Sequence, residues 1–247
     1  MPKARNINFS AVILDIDGVL TKTATHHART WKKMFAKFLK EKQGDNFQPL
    51  DIEEDYNEYI DGKPRRDGIR SFLNSKKIDL PEGEPGDAPE KDRLEDLAKR
   101  KNNLFLQINE KEGVDVYHDS LKILKKWKGQ NIKLAVLSSS RNCKLIINKA
   151  GLTSFFSVRV DGITSEKENL KGKPNPDILL KAAENLKVNP GNTIVAEDAI
   201  SGVKAGKRGE FALVIGVDRG GKKEKLEKAG ADLIITDMTK LKDLANA

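Results

Sequence analysis

The chain has 247 residues, of which 38% are hydrophobic and 33% are charged. This balance is too apolar for a disordered chain and too polar for a membrane protein, so we expect a soluble globular protein of one large domain or two smaller ones. The net charge of +8 suits an anionic partner. Because the lysines are dispersed along the chain, a solvated basic surface is favoured over a nucleic-acid site.

The cellular location is predicted from the cysteine count and the N-terminal segment. The single cysteine, Cys143, cannot form an internal disulfide, which favours a reducing compartment. The apolar run at residues 11–14 ends at Asp15, too early for a signal peptide or a membrane span. We therefore expect a cytoplasmic monomer that binds neither a membrane nor a nucleic acid.

The first predicted strand comprises residues 11–14 and is followed by the segment D-I-D-G at residues 15–18, where Gly18 permits a sharp turn. Over residues 30–42 the apolar side chains recur at helical spacing, which predicts an amphipathic helix. Its basic outer face is compatible with a membrane surface or a calmodulin-like partner, but packing against a core is the favoured interpretation.

The next part of the chain shows helical patterns without a convincing strand. Helices are predicted at residues 52–60, 66–75 and 91–110. The proline- and glycine-rich segment at residues 81–89 predicts an exposed loop between two of them. We therefore expect this part to be an all-helical unit.

From residue 119 onward, helices alternate with buried strands. The predicted strands are residues 133–137, 156–160, 193–196, 212–217 and 233–235, and the predicted helices are residues 121–127, 143–150, 176–186 and 201–208. Because parallel neighbours need crossover connections, this alternation predicts an α/β fold with a Rossmann-like parallel sheet. The first strand joins that sheet, so residues 1–24 and 113–247 form the predicted α/β core domain, and residues 25–112 form an inserted helical cap.

Acidic residues follow two of the predicted strands. Asp15 and Asp17 follow the first strand, and Glu197 and Asp198 follow the strand at residues 193–196. Ligands of open parallel sheets bind beyond the carboxyl ends of the strands, so these four acids should lie close together. Each could instead cap a helix, but four like charges at one edge require a cation, and hard oxygen ligands favour Mg²⁺ over zinc.

Residues suited to binding a phosphate follow two other elements. The segment S-S-S-R-N at residues 138–142 follows a strand, and Lys173 precedes a helix. The serines lack the G-x-S-x-G context of a hydrolase nucleophile. With Arg141 and Lys173 they are suited to anion capture, and the alternative role of helix capping remains open because it uses the same geometry.

A phosphate site, Mg²⁺ and a carboxylate at a strand end together suggest an aspartyl-phosphate mechanism. In these residues the chain resembles the haloacid dehalogenase superfamily of phosphotransferases. Its four motifs match, in order, residues 15–20 (D-I-D-G-V-L), Ser138, Lys173, and the pair Glu197 and Asp198.

The resemblance extends to the β-phosphoglucomutase-like branch of that superfamily. The matching positions are His27, Gly62 with Arg65, residues 97–102 of a cap helix, and Ser140, Arg141 and Asn142. The branch usually has a lysine where Arg141 stands, and a guanidinium differs in geometry from an ammonium. The loop at residues 81–89 is a further departure.

The resemblance implies a role for each matched residue. Asp15 is the implied nucleophile, Asp17 the general acid and base, and Ser138 and Lys173 hold the transferring phosphoryl group. Mg²⁺ would be bound by Asp15, Asp17 (through its carbonyl), Glu197 and Asp198. The implied substrate-binding residues are His27, Arg65, Lys101, Asn102, Ser140, Arg141 and Asn142.

The implied reaction interconverts β-D-glucose 1-phosphate and glucose 6-phosphate, with β-glucose 1,6-bisphosphate as primer and intermediate. The partner is therefore a small phosphorylated sugar. The alternative is a Mg²⁺-dependent phosphatase of the sugar-phosphate or phosphoglycolate type, in which water attacks the phospho-aspartate. A non-catalytic anion-binding module is a more remote alternative.

Overall fold

The computed structural model describes residues 9–83, 93–242 and 244. The described residues form two compact units, one from those within Met1–Lys22 and Val114–Ala247 and the other from those within Thr23–Gly113. Residues 84–89 of the loop predicted at 81–89 lie outside the described residues. The first two residues of the helix predicted at 91–110 also lie outside them.

The α/β unit is built on a parallel sheet, which confirms the predicted fold class. Its strands are β1 (Ala11–Asp15), β2 (Lys133–Leu137), β3 (Val158–Val160), β4 (Thr193–Glu197), β5 (Leu213–Val217) and β6 (Leu233–Ile235). Within the described residues they form one six-stranded sheet in the order β3-β2-β1-β4-β5-β6, and every neighbouring pair is parallel.

The helical unit contains α1 (Thr23–Gln43), a π-helix (Ile52–Ile60), α2 (Arg65–Ser75) and α3 (Leu94–Glu112), with a short 3₁₀ turn at Gly44–Asn46. Aromatic side chains from α1 and α2 form its core, including Trp31, Phe35, Phe38 and Phe72. The buried face of α1 is that predicted from the apolar spacing.

Two helices of this unit differ in one detail each from what the sequence pattern indicates. Helix α1 begins at Thr23 rather than at residue 30, because its first turns are polar and carry no apolar repeat. The helix predicted at residues 52–60 has the predicted bounds, but it is a π-helix, with hydrogen bonds between residues five apart. Asp51 caps this helix by accepting hydrogen bonds from the amides of Glu53 and Glu54.

The helices of the α/β unit are α4 (His118–Gly129), α5 (Cys143–Lys149), α6 (Gly162–Lys167), α7 (Asp177–Leu186), α8 (Ile200–Arg208) and α9 (Lys223–Lys228). Short 3₁₀ turns occur at Thr153–Phe155, Pro190–Asn192 and Met238–Leu241. Helices α6 and α9 were not predicted, because six residues are too few to show a periodic apolar face. The strand predicted at residues 156–160 begins only at Val158.

The order of the strands positions the acids and the serine segment. Strand β1 lies between β2 and β4, with Asp15 opposite Leu137 and Leu14 opposite Ala196. Every residue of β1 and β4 is buried, as expected of central parallel strands covered on both faces. The residues that follow β1, β2 and β4 therefore lie at one edge of the sheet. In the described part of the chain, no helix has the length and apolar character needed to cross a bilayer.

Candidate active site

A buried lysine joins two carboxylates at the centre of the sheet edge. Asp15 is the last residue of β1 and is 6% exposed. The Lys173 ammonium donates a hydrogen bond of 2.7 Å to Asp15 Oδ1 and lies 2.6 Å from Glu197 Oε1. Lys173 therefore bridges side chains from two neighbouring strands.

The electrostatics of this group keep the lysine charged. Burial lowers the pKa of Lys173, but attraction to Asp15 and Glu197 outweighs burial, so the pKa is raised above its usual value. Burial raises the pKa of Glu197 well above the usual range, and the charge of Lys173 opposes that rise. Lys173 therefore keeps its positive charge, which attracts the carboxylates beside it.

Asp198 completes a cluster of carboxylates. One oxygen from each of Asp15, Glu197 and Asp198 lies within 4.8 Å of the others, and all three residues are buried. Buried acids at this separation repel unless cations compensate them, and a set of hard oxygen donors fits Mg²⁺. The Asp17 side chain is not part of this three-carboxylate group, and the role of its carbonyl as a metal ligand stays a prediction.

Two glycines leave the space that this cluster needs. Gly18 has a φ of +79°, and a Cβ there would lie 2.0 Å from Asp198 Oδ2. A Cβ at Gly202, in the first turn of α8, would lie 2.2 Å from Glu197 Oε2. Gly18 was predicted as a turn residue, whereas Gly202 was not singled out from the sequence.

Asp17 and Ser138 lie beside Asp15. The Asp17 amide donates a hydrogen bond of 3.0 Å to Asp15 Oδ2, and the Ser138 hydroxyl lies 3.4 Å from Asp17 Oδ2. Asp17 is partly exposed, whereas Asp15 and Ser138 are buried. The structure therefore groups four predicted catalytic residues: Asp15, Asp17, Ser138 and Lys173.

The segment after β2 is ordered by its own serines. Ser138 Oγ accepts a hydrogen bond from the Ser140 amide at 3.1 Å, and Ser140 Oγ accepts one from the Asn142 amide at 3.2 Å. Asn142 immediately precedes α5, so the Ser140 hydroxyl accepts its hydrogen bond from the residue just before that helix. Arg141 is exposed, and its Nη1 lies 3.1 Å from Glu166 Oε2.

The four predicted substrate-binding residues of the helical unit also lie together. Lys101 is 3% exposed and donates a hydrogen bond of 2.6 Å to His27 Nδ1. Its ammonium lies 4.7 Å from the ring centre of Phe105. Arg65 donates a hydrogen bond of 2.8 Å to Asn102 Oδ1, and Asn102 directly follows Lys101 in α3.

The histidine of this group is neutral. Burial and the positive charges of Lys101 and Arg65 hold the pKa of His27 well below its usual value. A neutral imidazole can accept at Nδ1 the hydrogen bond that Lys101 donates, which places the ring proton on Nε2. The buried Lys101 is thus held by an acceptor and by aromatic faces.

Comparison with known proteins identifies the family. Residues 9–209 match the family model of the haloacid dehalogenase-like hydrolases. The chain belongs to this family. A β-phosphoglucomutase of Mycobacterium tuberculosis is 41% identical over 237 residues, which cover 94% of this chain and 90% of that protein. A phosphorylated carbohydrates phosphatase of Thermotoga maritima is 29% identical over 214 residues, or 84% of each chain.

A solved structure of a haloacid dehalogenase-like relative agrees with the fold. The crystal structure of a β-phosphoglucomutase from Clostridium difficile superposes with a TM-score of 0.76 at 26% identity. The match covers 96% of this chain and 97% of the relative. The likeness therefore extends over both the α/β unit and the helical unit.

Two charged residues of this haloacid dehalogenase-like site were missed from the sequence. Lys222 Nζ lies 3.6 Å from Asp198 Oδ2, and Glu166 pairs with Arg141. Both lie in polar, lysine-containing segments, where a functional charge looks the same as a solvated one. No sequence signal distinguishes them.

Proposed function

We propose that this chain is a magnesium-dependent phosphotransferase of sugar phosphates, and specifically a β-phosphoglucomutase. It interconverts β-D-glucose 1-phosphate and glucose 6-phosphate through β-glucose 1,6-bisphosphate. The observation that carries the proposal is the buried Asp15 carboxylate, held by Lys173 at 2.7 Å within a cluster of three acids. The name of the relative at 41% identity supports the substrate. We also propose that the protein is cytoplasmic and monomeric.

Asp15 is the proposed nucleophile. Hydrogen bonds from Lys173 and from the Asp17 amide fix one oxygen each, so the carboxylate is oriented before substrate binds. An Asp15 oxygen bonds to phosphorus, the bond from phosphorus to the sugar oxygen breaks, and Asp17 gives that oxygen a proton. In the return transfer Asp17 takes the proton of another sugar hydroxyl, whose oxygen bonds to phosphorus as the aspartyl-phosphate bond breaks.

The surrounding residues balance the charge of the phosphoryl group. Ser138 and Lys173 donate hydrogen bonds to its oxygens, and the fixed ammonium of Lys173 requires no reorganisation. Asp15, Glu197, Asp198 and the Asp17 carbonyl are the proposed ligands of Mg²⁺. When bound, the ion neutralises negative charge on the phosphoryl oxygens.

The remaining predicted residues are proposed to bind the rest of the substrate. In the α/β unit these are Ser140, Arg141 and Asn142, and in the helical unit His27, Arg65, Lys101 and Asn102. Their donor groups suit a phosphate that is not being transferred, together with sugar hydroxyls. Two phosphate-binding positions are what a bisphosphate intermediate requires.

The second candidate is a sugar-phosphate phosphatase, in which water replaces the sugar hydroxyl in the return transfer. The phosphatase relative from Thermotoga maritima favours it. The same residues serve both reactions, and a difference of about 1.4 kcal/mol between the two barriers changes their ratio tenfold.

One assay separates these candidates. The protein is given β-D-glucose 1-phosphate, Mg²⁺ and a trace of glucose 1,6-bisphosphate, and glucose 6-phosphate and free phosphate are measured together. Glucose 6-phosphate without free phosphate supports the mutase, and free phosphate alone supports the phosphatase. Asp15→Asn should abolish both products, and absence of both from the unaltered protein would leave the anion-binding module.

A further inference from the structure

The segment between β5 and α9 is a tightly held loop. Asp218 follows β5 and is 9% exposed. Its Oδ1 accepts hydrogen bonds from the amide of Gly220 at 3.1 Å and from the amide of Lys222 at 2.8 Å. These two hydrogen bonds fix the backbone at Lys222 and so position its side chain.

Arg219 fixes the same loop to α4 and to the segment that follows β6. Its guanidinium donates hydrogen bonds to Asp119 Oδ2 at 2.7 Å and to the Thr236 carbonyl at 2.8 Å. It also stacks over the ring of Tyr117, with 4.1 Å between the guanidinium carbon and the ring centre. Asp119 lies in the first turn of α4, so the loop is anchored independently of the acid cluster.

This anchored loop directs a second ammonium to the acid cluster. Lys222 Nζ lies 3.6 Å from Asp198 Oδ2, and the two side chains are 16% and 9% exposed. Lys173 contacts the other two carboxylates, those of Asp15 and Glu197. Each acid of the cluster therefore has a lysine beside it.

We propose that Lys222 is a built-in competitor of Mg²⁺ for Asp198, a positioning residue that sets how tightly the site binds the ion. The inference rests on the proposed magnesium site. Without a divalent cation, the ammonium relieves repulsion between Asp198 and its acidic neighbours. When Mg²⁺ binds, the same ammonium becomes a like charge beside it, and this repulsion weakens binding. The flexible four-carbon stem of lysine allows the ammonium to move aside without unfolding the loop.

The test is calorimetric titration of Mg²⁺ into the full-length protein, without substrate and at constant ionic strength. Lys222→Gln should lower the dissociation constant about tenfold, or about 1.4 kcal/mol. Lys222→Arg, which keeps the charge, should stay near the unaltered protein. Lys223→Gln is the matched control, because Lys223 is 67% exposed and pairs with Glu227. Thermal unfolding in EDTA should show Lys222→Gln to be folded but less stable.

Each outcome bears on a different part of the reasoning. If the unaltered protein does not bind Mg²⁺, both the proposed function and this inference fail. If it binds Mg²⁺ and Lys222→Gln binds equally or more weakly, only the role of Lys222 is refuted. If neither Lys222→Gln nor Lys222→Met folds, the inference is also overturned, because it assigns the folding of the loop to Asp218 and Arg219.

Discussion

Replacing Lys173 with methionine tests the charge balance at the sheet edge. Methionine keeps most of the length and volume of the side chain but removes the ammonium that contacts Asp15 and Glu197. All three side chains are at most 9% exposed, so water cannot replace the lost partner. The two carboxylates would then face each other without their shared cation.

The expected loss of stability is large for a single substitution. Removing one partner from a buried ion pair costs about 3–5 kcal/mol. For a chain of this size, each 1 kcal/mol lowers the melting temperature by about 2–4 °C, so we expect a decrease of roughly 6–20 °C. Mg²⁺ should stabilise Lys173→Met more than the unaltered protein, because the ion supplies part of the missing positive charge.

Urea unfolding in EDTA, followed by circular dichroism, measures this loss, and a second series with Mg²⁺ measures the recovery. Lys181→Met is the matched control, since the Lys181 ammonium also lies between two carboxylates, Glu168 and Glu184, at 2.9 and 3.0 Å. Solvent screens that group, in which the side chains of Lys181, Glu168 and Glu184 are 21%, 37% and 71% exposed, so its loss should change stability little. A cost for Lys173→Met below about 1 kcal/mol, or equal to that of the control, would refute the argument from burial.

Three further predictions concern a glycine, a histidine and an arginine. Gly18→Ala should weaken Mg²⁺ binding in calorimetry by displacing Asp198, whereas Gly44→Ala, at a similar positive φ but with no atom within 4 Å of the added Cβ, should cost stability only. If both variants bind Mg²⁺ equally well, the space at Gly18 is not needed. His27 stays neutral when folded and takes up a proton when unfolded, so it should make the unfolding free energy fall below about pH 6.5, by up to about 1.4 kcal/mol per pH unit. His27→Gln should flatten that slope, and an unchanged slope would contradict the lowered pKa. Arg65→Ala should slow turnover of a sugar bisphosphate far more than hydrolysis of a small aryl phosphate, and equal slowing of both would exclude its role in binding the rest of the substrate.

The elements that the sequence predicted well have strong local patterns. Strands β2 and β6 have the predicted bounds, because each is a short apolar run between polar segments. The start of α1 was missed because residues 23–29 are polar and lack the apolar repeat. Helix α6 begins after Asp161, whose side chain accepts hydrogen bonds from the amides of Ile163 and Thr164, so a capping signal was present but the helix was too short for periodicity to mark it.

The acids, the serines and Lys173 could be proposed as one site before any coordinates, since parallel strands present their carboxyl ends at one edge and the motifs occur in a known order. The sequence by itself determined which acidic, hydroxyl and ammonium groups lie at that edge of the sheet. Only the tertiary structure decided which cation lies beside which acid: Lys173 contacts Asp15 and Glu197, and Lys222 lies beside Asp198. These pairings join residues far apart in the chain, and they depend on side-chain packing and on the space left by Gly18 and Gly202, which no local pattern records.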